Sequence, residues 1–313
     1  MLRERVLEAL ENNRGVPVSG QELAEKCGVS RAAVWKVIEA LKKDGYPILS
    51  VRSSGYVLEQ NSDVLSEAAV RAALKGVLPD MEIRVFREID STNNEAKRML
   101  ASGYSGRALL AADRQTAGRG RLGKSFYSPA GSGLYFSLIM KPASDSEHLP
   151  MTTLQAGVAA VRAVRKITGK ELSLKWVNDL FLDGKKVGGI LTEAVTDLES
   201  GAVSDIVLGI GINISTESFP ADIGQSVGII GAGCIRSMLC AEIASQFFSI
   251  DPSDPSSYME EYRRCSLVLG RDVSYHGETV RALSIDETGG LEIMYENGTR
   301  KIIRGGEIKL PEQ

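Results

Sequence analysis

The chain of 313 residues predicts an α+β protein in three parts: a winged helix-turn-helix over 1–62, a mixed-sheet α/β domain over 63–265 and a small all-β module over 266–313. Three observations carry that reading. Apolar residues recur at helical spacing in the first 45 residues and then give way to two short strand-like runs. Between 83 and 213 strand runs alternate with helical ones, yet a hairpin turn also joins two of them, which favours a mixed sheet over a doubly wound one. After 266, short strands follow one another at about ten-residue spacing with turn residues in every gap.

In the first part Leu2, Val6, Ala9 and Leu10 share one helical face. Ser19, with Glu22 three residues on, forms a capping box. Cys27-Gly28-Val29 is a tight turn, and Ser30 caps a third helix striped by Val34, Val37, Ile38 and Leu41. Helix, glycine-bearing turn, helix is the spacing of a helix-turn-helix. Tyr46 to Glu59 then reads as two strands around Arg52-Ser53-Ser54-Gly55, a wing. The start of the third helix in such a module enters the major groove. Ser30, Arg31, Ala32 and Lys36 are therefore candidates for base and phosphate contact, and Arg52 for the backbone. Trp35, beside Ile38, is expected to pack between the helices. Nine basic against eight acidic residues over 1–60 give only a weak electrostatic signature, so a small bundle with solvated charges is the competing reading.

In the second part Ile83 to Ile89 alternates like a strand, and Asp90-Ser91-Thr92-Asn93 caps the helix Glu95 to Ala101. The stretch Gln115 to Pro129, QTAGRGRLGKSFYSP, interleaves Gly118, Gly120 and Gly123 with Arg119, Arg121 and Lys124. Its backbone can approach a ligand closely while fixed cations meet an anion. The spacing from Gly118 to Lys124-Ser125 also fits a P-loop, but a P-loop opens straight into a helix, and Pro129, Gly131 and Gly133 follow too soon for one. Leu134 to Leu138 is a buried strand able to supply an apolar slot, and Leu154, Val158, Val161 and Ile167 mark a core helix. Leu172 to Trp176 and Leu180 to Leu182 lead into the hairpin turn Asp183-Gly184. The return strand holds Lys186 beside Gly188 and Gly189, with Lys185 exposed. Ser204 to Ile210 is a further strand running into Gly211 and Asn213.

Composition bounds the rest. A net charge of −3 advertises no general affinity for nucleic acid, so any DNA-binding surface must be local. Four cysteines without a C-x2-C pair, and two histidines, point to a reduced cytoplasmic protein without a structural metal. The amphipathic N-terminus is not a signal peptide, and no apolar run approaches the ~18 residues of a membrane span.

QTAGRGRLGKSFYSP, preceded by Asp90-Ser91-Thr92-Asn93 and followed by KWVNDLFLDGKKVGGILTE (Lys175 to Glu193), resembles the biotin–protein ligases in three separated motifs. With the helix-turn-helix, the chain is similar to the bifunctional kind that also represses the biotin operon, from about residue 5 to its end. It departs from the family pattern at Lys124 (arginine in the family), Phe126 (tryptophan) and Val177 (proline). The resemblance implies biotin and ATP as substrates, Mg²⁺ with the nucleotide, and an SH3-like C-terminal cap. It implies biotin contacts from Ser91, Thr92, Asn93, Gln115, Arg119, Gly120, Arg121, Lys186, Gly209 and Gly211. It implies ATP contacts from Arg119, Arg121, Lys124, Asn178, Asp179 and Asn213, with Phe219 against adenine and Arg119, Arg121, Lys186 and Asp179 as the catalytic set. A turn cap is the other reading of Asp179. The implied partners are a biotin carboxyl-carrier domain, operator DNA and a second copy of the chain when biotinyl-5′-AMP is bound. Two rivals stand beside this one: a lipoate or other acyl–protein ligase, and a ligand-sensing regulator without ligase activity.

Overall fold

The computed structural model describes residues 2–142, 149–197, 199–224 and 226–310. The chain divides into two compact units, residues 1–79 with 235–242, and residues 80–234 with 243–313.

The first unit opens with helices α1 (Leu2–Glu11), α2 (Gly20–Cys27) and α3 (Arg31–Lys43). Ser19 Oγ accepts from Glu22 N, Ser30 Oγ accepts from Ala33 N, and Gly28 ends α2 in the left-handed region at φ 64°. These are the start and stop signals read from the sequence, since side-chain oxygens satisfy amides the first helical turn leaves unpaired. Val6, Leu10, Leu23, Val34, Ile38 and Leu41 form the core. Two antiparallel strands follow, β1 (Ile48–Val51) and β2 (Gly55–Leu58), in register from Ile48↔Leu58 to Val51↔Gly55. Trp35 departs from expectation: it is 54% exposed. The buried stripe is Val34, Ile38 and Leu41, and at 100° per residue Trp35 turns out of it. Helix α4 (Glu67–Leu74) completes the unit, and Arg236 binds Asp63 through its backbone N (2.6 Å) and Nε (2.8 Å).

The second unit is built on a seven-stranded sheet: β3 (Glu82–Phe86), β4 (Ala108–Ala112), β5 (Gly133–Met140), β6 (Ser173–Lys175), β7 (Asp179–Leu182), β8 (Lys185–Thr196) and β9 (Val203–Asn213). Its order is β3-β4-β5-β9-β8-β7-β6. Only β3 and β4 run parallel, so the sheet is mixed as expected. Helix α5 (Thr92–Ala101) packs Ala96 and Met99 on the face that carries Leu110, Ile139 and Val207. Helix α6 (Leu149–Thr168) takes the other face, where Thr153 meets Thr192 at 2.7 Å. No helix follows Ser125; the segment stays irregular as far as β5, which removes the P-loop reading. Helices α7 (Arg236–Ser249) and α8 (Ser256–Cys265) precede a five-stranded antiparallel sheet. Its strands are β10 (Asp272–Tyr275), β11 (Glu278–Ile285), β12 (Leu291–Tyr295), β13 (Arg300–Ile303) and β14 (Ile308–Lys309), in the order β13-β12-β11-β10-β14. Among the described residues no helix is long and apolar enough to cross a membrane.

Candidate functional site

A cleft of about 990 Å³ opens on the α5 face of the large sheet. Side chains alternate between faces along a strand, so Gly209 and Gly211 of β9 share that face, and Gly189 of β8 stands opposite Gly211. The floor is thus bare backbone. A Cβ on Gly209 would come within 2.2 Å of Asn93 Oδ1, and one on Gly211 within 2.6 Å of the Phe126 ring.

One end of the cleft is neutral and built for hydrogen bonding. Ser91 caps α5, its Oγ accepting from Asn94 N at 3.5 Å. Thr92 donates from N (2.9 Å) and Oγ1 (3.2 Å) to Gln115 Oε1, and Gln115 Nε2 donates to Ser128 Oγ at 3.0 Å. Ser137 Oγ lies 2.7 Å from Thr92 Oγ1 and 2.6 Å from Asn93 Oδ1. Asn93 Nδ2 donates to Glu193 Oε2 at 2.8 Å, so both ends of the Asn93 amide are engaged by the protein. Ser91, Thr92, Asn93, Gln115, Gly120, Gly209 and Gly211 all line this cleft, with Leu191 and Trp176 among its apolar residues. Of the predicted apolar slot Leu134 to Leu138, only Phe136 borders the cleft, and its pairing with Ile210 turns its side chain to the opposite face.

The other end is charged. Lys186 Nζ lies 2.6 Å from Asp179 Oδ1, and Lys175 Nζ lies 3.6 Å from Asp179 Oδ2. Simple alternation would put Lys186 on the face of Gly188, away from Gly189 and Asp179. The β7–β8 pairing passes from Leu180↔Gly188 to Phe181↔Lys186 with Val187 unpaired, and that bulge turns Lys186 onto the cleft face. Arg121 NH1 donates to Asn178 Oδ1 at 2.8 Å, and Asn178 is held by Ile190 O through Nδ2 at 3.1 Å. Arg119 donates to Asn94 Oδ1 at 2.9 Å and lies 3.4 Å from Glu193 Oε1. Lys124 reaches Glu307 at 2.7 Å. Asn213 Nδ2 donates to Gly228 O at 3.2 Å, and the Phe219 ring meets Tyr127 edge-on.

Sequence reading gave no role to Glu193, Lys97, Ser128, Ser137 or Glu307. Glu193 is a hub: besides Asn93 it accepts from Lys97 Nζ at 3.0 Å. Burial pushes its carboxyl up, but the bonds from Asn93 and Lys97 and the charge of Arg119 outweigh that and hold it below the usual glutamate range. Its signal was legible as strand parity with Gly189, and that of Ser137 as the one small polar side chain in an otherwise apolar or aromatic buried strand.

In the first unit Arg31, Ala32 and Lys36 are exposed along the start of α3, Ser30 is engaged as its cap, and Arg52 is exposed in the hairpin turn. The geometry suits two tasks, bringing two anions together beside a neutral polar pocket, and presenting a helix to a groove.

Residues 85–213 match the Biotin/lipoate A/B protein ligase family, and residues 2–57 match an HTH domain. The chain is 33% identical to the bifunctional ligase/repressor BirA of Bacillus spizizenii across 96% of both chains. It is 28% identical to the protein of that name from Escherichia coli K12, across 93% of this chain and 92% of the relative. Among solved structures, the biotin protein ligase from Aquifex aeolicus in complex with biotin and ATP superposes with a TM-score of 0.60 and 30% identity, over 74% of this chain and 99% of that one. With a ligase family model and an HTH model both matched, and 33% identity to a bifunctional relative across 96% of both chains, the chain belongs to the BirA family of bifunctional ligase/repressors.

Proposed function

We propose that the chain condenses biotin with ATP to biotinyl-5′-AMP, releasing pyrophosphate, transfers biotin to a lysine of a carboxyl-carrier domain, and represses biotin-synthesis genes. The observation that carries the ligase reading is a glycine-floored cleft with a neutral hydrogen-bonding wall at one end, Arg119 beside that wall, and Arg121, Lys175 and Lys186 at the other end. A ureido ring offers one carbonyl and two N–H groups, which suit Ser91, Thr92 and Gln115. A dithiolane offers none, and a wall built for hydrogen bonds discriminates strongly against a ligand that lacks them. That favours biotin over lipoate.

Adenylate formation brings a carboxylate against a phosphate, so fixed cations are the main thing the protein can supply. Lys186 exchanges its Asp179 partner for the ligand's carboxylate or the bridging phosphate. Arg121 and Arg119, permanently charged, take phosphate oxygens, and Lys124, Asn178 and Asn213 bound the nucleotide end, with Phe219 against adenine. Asp179 is the acid beside Lys175 and Lys186, and one carboxylate with substrate phosphates is a donor set that suits Mg²⁺ arriving with ATP. We read 1–62 as the DNA-binding domain, with β1 and β2 as its wing, and 63–265 as the ligase domain. The five-stranded module at 266–313 is read as an SH3-like cap; its Gly306, Glu307 and Ile308 line the cleft. Ser30, Arg31, Ala32, Lys36 and Arg52 meet operator DNA as a homodimer forms on the adenylate. ATP and the carrier place the work in the cytoplasm.

Transfer of labelled biotin to a carboxyl-carrier domain, with pyrophosphate release followed in parallel, tests the reading. Wild type should do both and reject lipoate. Arg121→Ala should lose most pyrophosphate release while its melting moves little, since the residue touches no core. Lipoate transfer in place of biotin transfer would overturn the assignment.

A further inference from the structure

Trp35 is the largest side chain on α3, and it is more than half exposed, at 54%. A lone exposed aromatic is ordinary on a protein surface. Its neighbourhood makes this one different. Arg31 lies one turn before it and Lys36 directly after it, on the exposed side of the helix whose start enters the groove in a helix-turn-helix. Lys42, two turns after Trp35 and so on the same face, donates to Ser50 Oγ of β1 at 2.9 Å. Trp35 therefore stands on the flank of α3 that leads to the hairpin, between Arg31 and the strand whose turn carries Arg52.

Cations near it also lack an acidic partner. Arg3, Arg14, Lys26 and Lys42 are each paired with an acid at 2.5–2.9 Å. Among the described residues Arg31, Lys36 and Arg52 have no such partner. A module with nine basic and eight acidic residues over 1–60 pairs part of its charge, Glu39 one turn after Trp35 included, and leaves Arg31, Lys36 and Arg52 without an acid on the side of α3 and the hairpin that Trp35 shares. A polyanion with apolar surface in its groove is the occupant that matches, and B-DNA presents phosphates, deoxyribose and thymine methyl groups together.

We propose that Trp35 is a direct DNA contact, its ring packed against sugar and thymine methyl in the operator's major groove. The inference rests on the DNA-binding reading above. Because an apolar contact releases no counterions, it sets affinity and sequence preference without changing the salt dependence, whereas each lysine or arginine on a phosphate adds about one to the slope.

The chain has two tryptophans, and Trp176 is buried, 4% exposed, with its indole donating to Gly289 O at 3.0 Å. Emission accessible to acrylamide therefore reports Trp35. The full chain is measured with biotin and ATP in every sample, with and without a palindromic biotin-operon duplex. DNA should shield the accessible emission in the wild type and leave Trp35→Phe unchanged. Trp35→Ala should weaken operator binding at least about tenfold with its salt slope kept, Trp35→Phe should weaken it less, and Lys36→Ala should lower the slope. Biotin transfer by both Trp35 variants should match wild type, and the far-ultraviolet dichroism and the kept salt slope of Trp35→Ala verify that the first unit is folded. Trp35→Ala binding like wild type would overturn the proposal, as would shielding by biotin and ATP without DNA, which would mean that protein covers the ring. Failure of every form to bind any operator would instead remove the DNA-binding reading, and this inference with it.

Discussion

Lys186 and Glu193 are both charged and both on β8, but Lys186 lines the cleft while Glu193 stands behind Asn93, which does. Lys186 is 35% exposed at its side chain and already faces a carboxylate, so its substitution should register mainly in ligands that bring a charge. Lys186→Ala should weaken biotinyl-adenylate by about 1.5–3 kcal/mol, the value of a charge-assisted bond, and barely affect biotin methyl ester. Calorimetry with the two ligands separates this from a role at the ureido ring, where the losses would be equal. Glu193 instead orients Asn93 and receives Arg119. Glu193→Gln keeps an oxygen for Asn93 Nδ2, so its KM for biotin should stay near wild type, while Glu193→Ala should raise it several-fold and leave KM for ATP less changed. The carboxyl is held below its ordinary value of about 4.5 in the fold. Its contribution to stability is therefore complete above that pH and is lost as pH falls through the lowered value. Melting of wild type should fall more steeply than that of Glu193→Gln below about pH 4.5.

At the scale of elements, the glycine floor makes a steric prediction. Gly209→Ala would place a methyl 2.2 Å from Asn93 Oδ1, and overpacking of this kind costs about 1–3 kcal/mol. The variant should melt earlier and lose biotin affinity together, because the atom displaced belongs to the ureido wall. A loss of affinity without a change in melting would mean that Asn93 moves freely. How far these elements were legible follows from what each depends on. The caps at Ser19, Ser30 and Ser91 are local chemistry and stood in the sequence. So did the Asp183-Gly184 turn, whose two residues adopt φ of 50° and 77°, as a tight hairpin requires. The bulge at Val187 did not, because it is a property of the pairing between two strands, and alternation read along β8 alone puts Lys186 on the wrong face. Trp35 failed for a related reason: lying next to a stripe is not lying in it, and only the packed helix shows where the stripe ends.

At the scale of the molecule, the order of the parts was readable because each has its own period, 3.6 in the helices and 2 in the strands. Contacts made across long sequence separation were not, such as Lys124 with Glu307 or Asn93 with Glu193, since nothing local marks them. One prediction belongs here. A helix-turn-helix with so little excess charge should bind DNA alone only in the non-specific range, about 10⁻⁴–10⁻⁶ M. Two modules on a two-fold dimer engage two half-sites at high effective concentration. Operator binding should therefore strengthen when biotin and ATP are both present and rise steeply with protein concentration. Fluorescence anisotropy on a palindromic fragment reads this; tight binding without ligand, independent of protein concentration, would refute it.

The Lys124–Glu307 contact joins the glycine loop to the C-terminal segment across the mouth of the cleft, with both side chains well exposed, at 62% and 42%. An exposed pair contributes about 0.2–1 kcal/mol, which biases an equilibrium by roughly fivefold at most. That pair is therefore a minor part of what holds the loop, which Arg121 also ties to Asn178 and Arg119 to Asn94. The reactive adenylate would be retained by its own contacts with the cations beneath, and the contact at the mouth would act as a timer on exchange, shortening or lengthening the intermediate's dwell by a small factor without deciding whether it forms.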